Sequence, residues 1–236
     1  MAAEVWRLTT RSRRTQLLPS LRFVARRSTR ALDVDSMSHQ FVGDHSRLDE
    51  LVPLLQRVNE SASFETDGLT VYLDAVDYST CHEVRDDFKV PAFLWRAGDP
   101  LDRVPSALLK LMCNPHAQYI IWLARPLLDS DTTRVIWVYA HEFRHFMQRR
   151  GAVDLMPLQR FLMERHSVEG FSEVGTQLEK PAELDSEFFA KKVLKAIIGD
   201  LALCSYLAEC RKSQKGDAYF RRFSELESLL ALRVDI

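Results

Sequence analysis

Long apolar runs and a large charge of either sign are both absent from this chain of 236 residues. No apolar run approaches the ~18–20 residues that a transmembrane helix requires, so the sequence predicts no segment that spans a membrane. The formal net charge is −1, which provides no overall attraction to nucleic acid or to a membrane surface. Hydrophobic residues make up 46% and charged residues 28%, the ordinary balance of a globular protein with its own core.

Cysteine is scarce as well. The four cysteines are widely spaced and contain no C-x-x-C pair: Cys81, Cys113, Cys204 and Cys210. This distribution favours a reduced, intracellular protein, and we expect it to be cytoplasmic. The sequence contains no internal repeat and no low-complexity segment.

The first thirty residues differ in composition from the rest of the chain. They contain eight arginines, no lysine, one acidic residue and seven serines or threonines. They lack the apolar segment of a secretory signal. We interpret residues 1–36 as a basic, disordered extension. Three alternatives remain open: an organelle-targeting peptide, a contact with nucleic acid, and a leader that precedes a true start at Met37.

The segment VYAHEFRHFMQ (residues 138–148) contains the motif H-E-x-x-H at His141, Glu142 and His145. Two histidines four residues apart lie one turn apart on one face of a helix, so their ring nitrogens can bind one metal ion. Glu142 can then accept a proton from a metal-bound water, as in zinc hydrolases. The simpler alternative is an amphipathic helix with a hydrogen-bonded histidine pair on its rim.

The residues around the motif predict a helix over 131–150. Asp131 is a suitable N-cap, Gly151 follows the expected end, and no glycine or proline lies between them. A helical projection places polar and apolar residues on opposite sides. The polar side contains Arg134, His141, Arg144, His145 and Gln148, and the apolar side contains Val135, Ile136, Tyr139, Phe143, Phe146 and Met147.

The order of predicted elements indicates an α+β fold, with strands first and a helical second half. We predict a helix at 47–59, strands at 69–76, 89–96 and 117–125, the motif helix, and further helices at 154–166, 181–198, 201–212 and 217–231. Pro91 predicts an edge strand or a strand start. The predicted domain covers 37–236, with an upper lobe at about 44–151 and a helical lobe at about 152–236.

The predicted helix 181–198 carries three candidates for a third metal ligand, Glu183, Asp185 and Glu187. A helical projection places Glu183 and Glu187 within the apolar arc of this helix. It places Asp185 on the opposite side, where we expect a solvated charge. A carboxylate on an apolar face is costly unless it is paired, protonated or bound to a metal. The alternative for Glu183 and Glu187 is a buried ion pair.

The motif HEFRH followed by ELDSEFFA resembles the gluzincin branch of the zincin metallopeptidases. The resemblance implies that Glu183 is the zinc-binding glutamate and that Glu187 is the acid that supports a ligand. It also implies a zincin-like fold, in which a small N-terminal sheet with a backing helix and an active-site helix precedes an all-helical C-terminal lobe. The chain departs from the family pattern at Arg144, a charge inside the motif, and at Glu187, where aspartate is commoner.

The resemblance predicts a zinc-dependent metallopeptidase that acts on a peptide or protein. His141, His145 and Glu183 are the expected Zn²⁺ ligands, and Glu142 is the expected general base. The strand at 117–125 is expected to line the cleft and to pair with an extended peptide. His166 and Tyr206 are candidate transition-state donors, neither of them assigned.

Two other functions remain open. The protein could bind zinc in a regulatory or partner-binding role with little catalysis. Alternatively, it could be a helical module that binds nucleic acid or a partner, with a chance motif. Apart from its arginine-rich extension, nothing in the sequence suggests nucleic acid as a partner, and no membrane contact is expected.

Overall fold

The structure, a computed structural model, describes residues 40–43, 45–73, 91–100, 108–109, 117–169 and 177–234. The predicted N-terminal extension at 1–36 lies outside the described residues. The same is true of the ends of two predicted strands, at 74–76 and 89–90. None of the described helices is both long and apolar enough to cross a membrane.

Four short strands form one mixed sheet: β1 (Gln40–Gly43), β2 (Leu69–Leu73), β3 (Ala92–Arg96) and β4 (Tyr119–Leu123). Their spatial order is β1-β2-β4-β3. Strands β1, β2 and β4 run parallel, whereas β3 is antiparallel to β4. Every residue of β2 and β4 is buried, because both faces of the sheet are covered.

The helices are α1 (Leu48–Ala62), α2 (Arg125–Leu128), α3 (Thr132–Arg149), α4 (Met156–Glu169), α5 (Pro181–Ile198), α6 (Asp200–Cys210) and α7 (Gln214–Val234). The predicted α+β order, with strands before a helical second half, is confirmed. The sequence interpretation contained neither β1 nor α2. Each has only four residues, too few for a periodic pattern to be recognised.

Helix α3 begins and ends where its sequence provides capping groups. The side chain of Asp131 accepts a hydrogen bond from the backbone N–H of Thr133 at 2.8 Å. Gly151 follows the helix with a φ of +72°, which favours glycine and turns the chain away. The predicted helix and its N-cap are therefore confirmed.

The apolar side of α3 packs in the main core. Phe143 and Phe146 are fully buried there, and each stabilises this packing by roughly 1.5–3 kcal/mol. The hydroxyl of Tyr139 donates to the side-chain oxygen of Asn59 on α1 at 2.8 Å. These contacts fix the rotation of α3 about its axis. As a result, its polar side, which carries the two histidines of the motif, faces α5.

Strand β4 lies inside the sheet, so the expectation that residues 117–125 line a cleft and pair with a peptide is wrong. Both edges of β4 are already paired, one with β2 and the other with β3. Among the strands that the structure describes, β3 is the edge strand on this side of the sheet, and Pro91 directly precedes it, which confirms the prediction from that proline.

Candidate metal centre

The two histidines of the motif point to one location. His141 and His145 lie one turn apart on α3, and their ring centroids are 4.7 Å apart. Their Nε2 atoms are 3.0 Å apart, so both rings present the same nitrogen to the same point. This geometry follows from the helical spacing of four residues and from the packed orientation of α3.

Helix α5 brings Glu183 to this point. Its Oε2 atom lies 3.2 Å from His141 Nε2 and 3.6 Å from His145 Nε2. One ligand atom from each of these three residues lies within 4.8 Å of the others. The structure therefore brings together the three residues that the sequence analysis named. Their role as metal ligands remains a prediction.

Glu187 lies one turn further along α5 and contacts the other ring nitrogen of His141, Nδ1. Its Oε1 atom is 3.1 Å from His141 Nδ1, and its Oε2 atom accepts a hydrogen bond from Trp137 Nε1 at 3.0 Å. The residue is only 6% exposed. A carboxylate accepts hydrogen bonds, so His141 Nδ1 carries a proton, and Nε2 is the nitrogen that would bind a metal ion once its own proton is displaced.

Tyr219 on α7 is a further partner of Glu187, and the sequence analysis did not identify it. Burial raises the pKa of Tyr219 above its ordinary value, and its hydrogen bond with Glu187 together with the charge of that carboxylate raises the pKa further. Nothing in the local sequence of α7 distinguishes this tyrosine from a core tyrosine. Only the packing of α7 reveals its role.

The charges at this point also favour a cation. Burial lowers the pKa of His141, but hydrogen bonds with Glu183 and Glu187 outweigh that effect and raise the pKa to about 10. The hydrogen bonds from the two histidines lower the pKa of Glu183 well below its usual range. In the metal-free protein the cluster therefore stabilises a protonated His141, and a metal ion would take the place of that proton among two imidazole nitrogens and one carboxylate oxygen. Zinc commonly binds this mixed set of nitrogen and oxygen ligands.

Glu142 lies beside the cluster on the side of the sheet edge. Burial raises the pKa of Glu142 above its ordinary value, and the backbone N–H of Leu94 in β3 forms a hydrogen bond with its carboxylate. The pairing of β3 with β4 explains this contact. The N–H of Ala97 donates to Gln118 O, and Pro91 O accepts from the N–H of Ala124; these partners flank β4. Leu94 lies three residues from both Ala97 and Pro91, so its N–H points away from β4, to the edge that no other described strand covers.

Asp185 is not the solvated charge that the sequence analysis expected, and that prediction is wrong. Its carboxylate accepts two hydrogen bonds from Arg144, at 2.7 and 2.9 Å, and its side chain is 14% exposed. The helical projection considered α5 alone. In the fold, α3 lies along α5 and places Arg144 opposite Asp185. This pair also explains how the motif accommodates a charge at Arg144.

The two candidate transition-state donors have other partners. Tyr206 stacks on Trp137 with ring centroids 5.5 Å apart, and its hydroxyl is hydrogen-bonded to Cys210. His166 Nε2 lies 3.1 Å from a carboxylate oxygen of Glu179. Neither position gives a reason to assign a catalytic role, and both residues stay unassigned.

Comparisons with known proteins identify no relative of this chain. No protein-family model, no curated protein and no solved structure matches the chain significantly. What the chain shows of its function therefore comes from its own residues and their arrangement.

Proposed function

We propose that this protein is a zinc-dependent metallopeptidase of gluzincin type. One observation carries the proposal: His141, His145 and Glu183 bring three potential metal-ligand atoms together at one point. The Nδ1 atoms of the two histidines are directed to other acceptors, Glu187 Oε1 and Gln148 Oε1. Both imidazoles are therefore oriented for metal binding through Nε2. The α+β order, with the motif helix between a small sheet and further helices, supports the proposal.

Each residue of the cluster has a distinct role in this proposal. His141, His145 and Glu183 would hold the zinc ion, and Glu187 would orient His141. A zinc ion bound by three protein ligands lowers the pKa of a coordinated water and polarises a substrate carbonyl. Glu142 accepts the proton of the attacking water and passes it to the leaving amine. Its raised pKa suits a group that takes up a proton and gives it away again.

The substrate in this proposal is an extended peptide that lies along the outer edge of β3, which none of the described strands covers. That edge is next to Glu142, because the Leu94 N–H that points outward from β3 reaches the Glu142 carboxylate. An extended peptide adds to such an edge by main-chain hydrogen bonds, and here it would displace the side-chain contacts of Glu142 and Asp99 with the N–H groups of Leu94 and Arg96. The substrate would then pass beside both the base and the three converging ligands. In this proposal the edge of β3 pairs with the peptide, the role that the sequence analysis gave to residues 117–125.

Peptide turnover with a matched inactive variant tests the proposal. The zinc-loaded protein is incubated with a mixed peptide library, and cleavage products are detected by mass spectrometry. Glu142→Gln, purified in parallel, controls for contaminating proteases because it keeps the three proposed ligands. We expect cleavage by the wild-type protein that a chelator abolishes, and a loss of ~10²-fold or more in Glu142→Gln.

Three other results have definite meanings. Equal cleavage by the wild type and Glu142→Gln contradicts the assignment of the base. Zinc binding without any cleavage favours the regulatory alternative. Absence of zinc binding removes the metal site and leaves the chance-motif alternative.

A further inference from the structure

Gln148 connects the second histidine of the motif to α5. It lies almost one turn beyond His145 on α3, and its Oε1 atom is 2.8 Å from His145 Nδ1. Its Nε2 atom is 2.9 Å from the backbone oxygen of Ala182 and 2.8 Å from Asp185 Oδ2. The amide of Gln148 therefore bridges the two helices that supply the proposed ligands.

The neighbours of Gln148 determine which way its amide faces. A backbone carbonyl and a carboxylate both accept hydrogen bonds, so the donating nitrogen of Gln148 must face Ala182 and Asp185. Its oxygen then faces His145. An amide oxygen accepts only, so His145 Nδ1 carries a proton, and in the neutral form of the ring that binds a metal ion the lone pair lies on Nε2.

The Arg144–Asp185 pair holds this arrangement in place. Arg144 donates two hydrogen bonds to the Asp185 carboxylate, at 2.7 and 2.9 Å, which fixes the carboxylate as an acceptor for Gln148. The hydroxyl of Ser186 lies 3.3 Å from His145 Nδ1 and leaves little room for another ring orientation. A chain of hydrogen bonds thus runs from Arg144 through Asp185 and Gln148 to His145.

We propose that Gln148, held by Asp185 and Arg144, is a positioning residue for His145. It selects the tautomer of His145 and fixes the rotation of its ring, so that Nε2 is directed to the point shared with His141 and Glu183. Gln148 thereby does for the second histidine what Glu187 does for the first. The inference rests on the proposed zinc site.

Cobalt(II) is a suitable probe, because it replaces zinc and shifts the proton resonances of its ligands out of the normal range. In water, the wild-type protein loaded with Co²⁺ should show two shifted, exchangeable resonances, from the Nδ1–H groups of His141 and His145. Gln148→Met keeps the volume but removes the acceptor. In Gln148→Met, the Nδ1–H of His145 should exchange rapidly with water, so that one of the two resonances disappears. This variant should also bind Co²⁺ and Zn²⁺ ~10–100-fold more weakly.

Two further variants separate positioning from folding. Gln148→Glu restores an acceptor for His145 and should recover the second resonance, even if repulsion from Asp185 lowers the melting temperature. Glu227→Gln breaks the ion pair between Lys191 on α5 and Glu227 on α7, away from the cluster. It should leave both resonances and the metal affinity unchanged.

The outcomes distinguish this inference from the proposed function. If the wild type binds Co²⁺ through the motif histidines but Gln148→Met keeps both resonances and an affinity close to that of the wild type, the role of Gln148 is refuted and the metal site stands. Should Gln148→Met fail to fold, Gln148→Glu decides the matter, because loss of the second resonance in that folded variant also refutes the role. A wild-type chain that takes up no Co²⁺ removes the metal site and the role of Gln148 together.

Discussion

Replacement of Asp185 by asparagine should destabilise the metal-free protein by about 2 kcal/mol. Fully exposed ion pairs contribute about 0–1 kcal/mol to stability, whereas removal of one partner from a buried pair costs about 3–5 kcal/mol. The Arg144 and Asp185 side chains are 20% and 14% exposed, which places the pair between these limits. The variant also weakens the acceptor of the Gln148 amide, whose bond to Asp185 is 2.8 Å long.

Urea denaturation followed by circular dichroism measures this loss. A chelator is present throughout, because bound metal would add its own stabilisation and mask the effect. For a chain of this size, about 2 kcal/mol corresponds to a decrease of roughly 4–8 °C in melting temperature. The double variant Arg144→Met, Asp185→Leu serves as the control. It removes both charges, so it should be less destabilised than Asp185→Asn.

A result within about 0.5 kcal/mol of the wild type would refute this reasoning, since that is the usual range for exposed substitutions. It would mean that Asp185 is a solvated charge after all, as the helical projection of α5 suggested. The Arg144–Asp185 pair would then contribute nothing to the orientation of α5 against α3.

Three further predictions concern the surroundings of the cluster. Glu187→Ala should weaken zinc binding ~10–100-fold in a chelator competition assay, because His141 loses the acceptor of its Nδ1 proton; an unchanged affinity would contradict that role. The folded-state pKa of His141, about 10, exceeds its ordinary value of 6.5. The stabilisation that protonated His141 gives the metal-free protein is therefore fully present below pH 6.5 and is lost as the pH rises through about 10. The difference in melting temperature between the metal-free wild type and His141→Gln should therefore narrow over this range, and a constant difference would argue against the raised pKa. Tyr139→Phe should cost about 1–3 kcal/mol in urea denaturation, because it removes the buried donor to Asn59; no loss would show that this bond does not anchor α3.

Local signals in the sequence were sufficient for the helix that carries the motif. Asp131, Gly151 and the apolar periodicity between them define α3, and the structure gives Thr132–Arg149. Pro181 and Gly199 bound α5 in the same way, at the predicted residues 181–198. These features depend on residues close together in the chain, so one sequence is enough to identify them.

Contacts between elements could not be predicted in the same way. The helical projection describes one helix, so it could not show that Arg144 of α3 lies opposite Asp185. It placed Gln148 on the side of the two histidines but could not show its contact with Asp185, 37 residues away, and it gave no signal for Tyr219, whose partner Glu187 is 32 residues away. The position of β4 inside the sheet depends on pairing with β2 and β3, and the strand's own sequence does not specify its neighbours.

Elemental analysis of the purified protein tests the central claim most directly. Protein prepared without added metal should contain about one zinc per chain, and the variant His141→Ala, His145→Ala should contain almost none. Glu183→Ala should lose more zinc affinity than Glu187→Ala, because only Glu183 reaches both histidine Nε2 atoms. Zinc retained in the double histidine variant, or absent from the wild type even after exposure to zinc, would contradict the account.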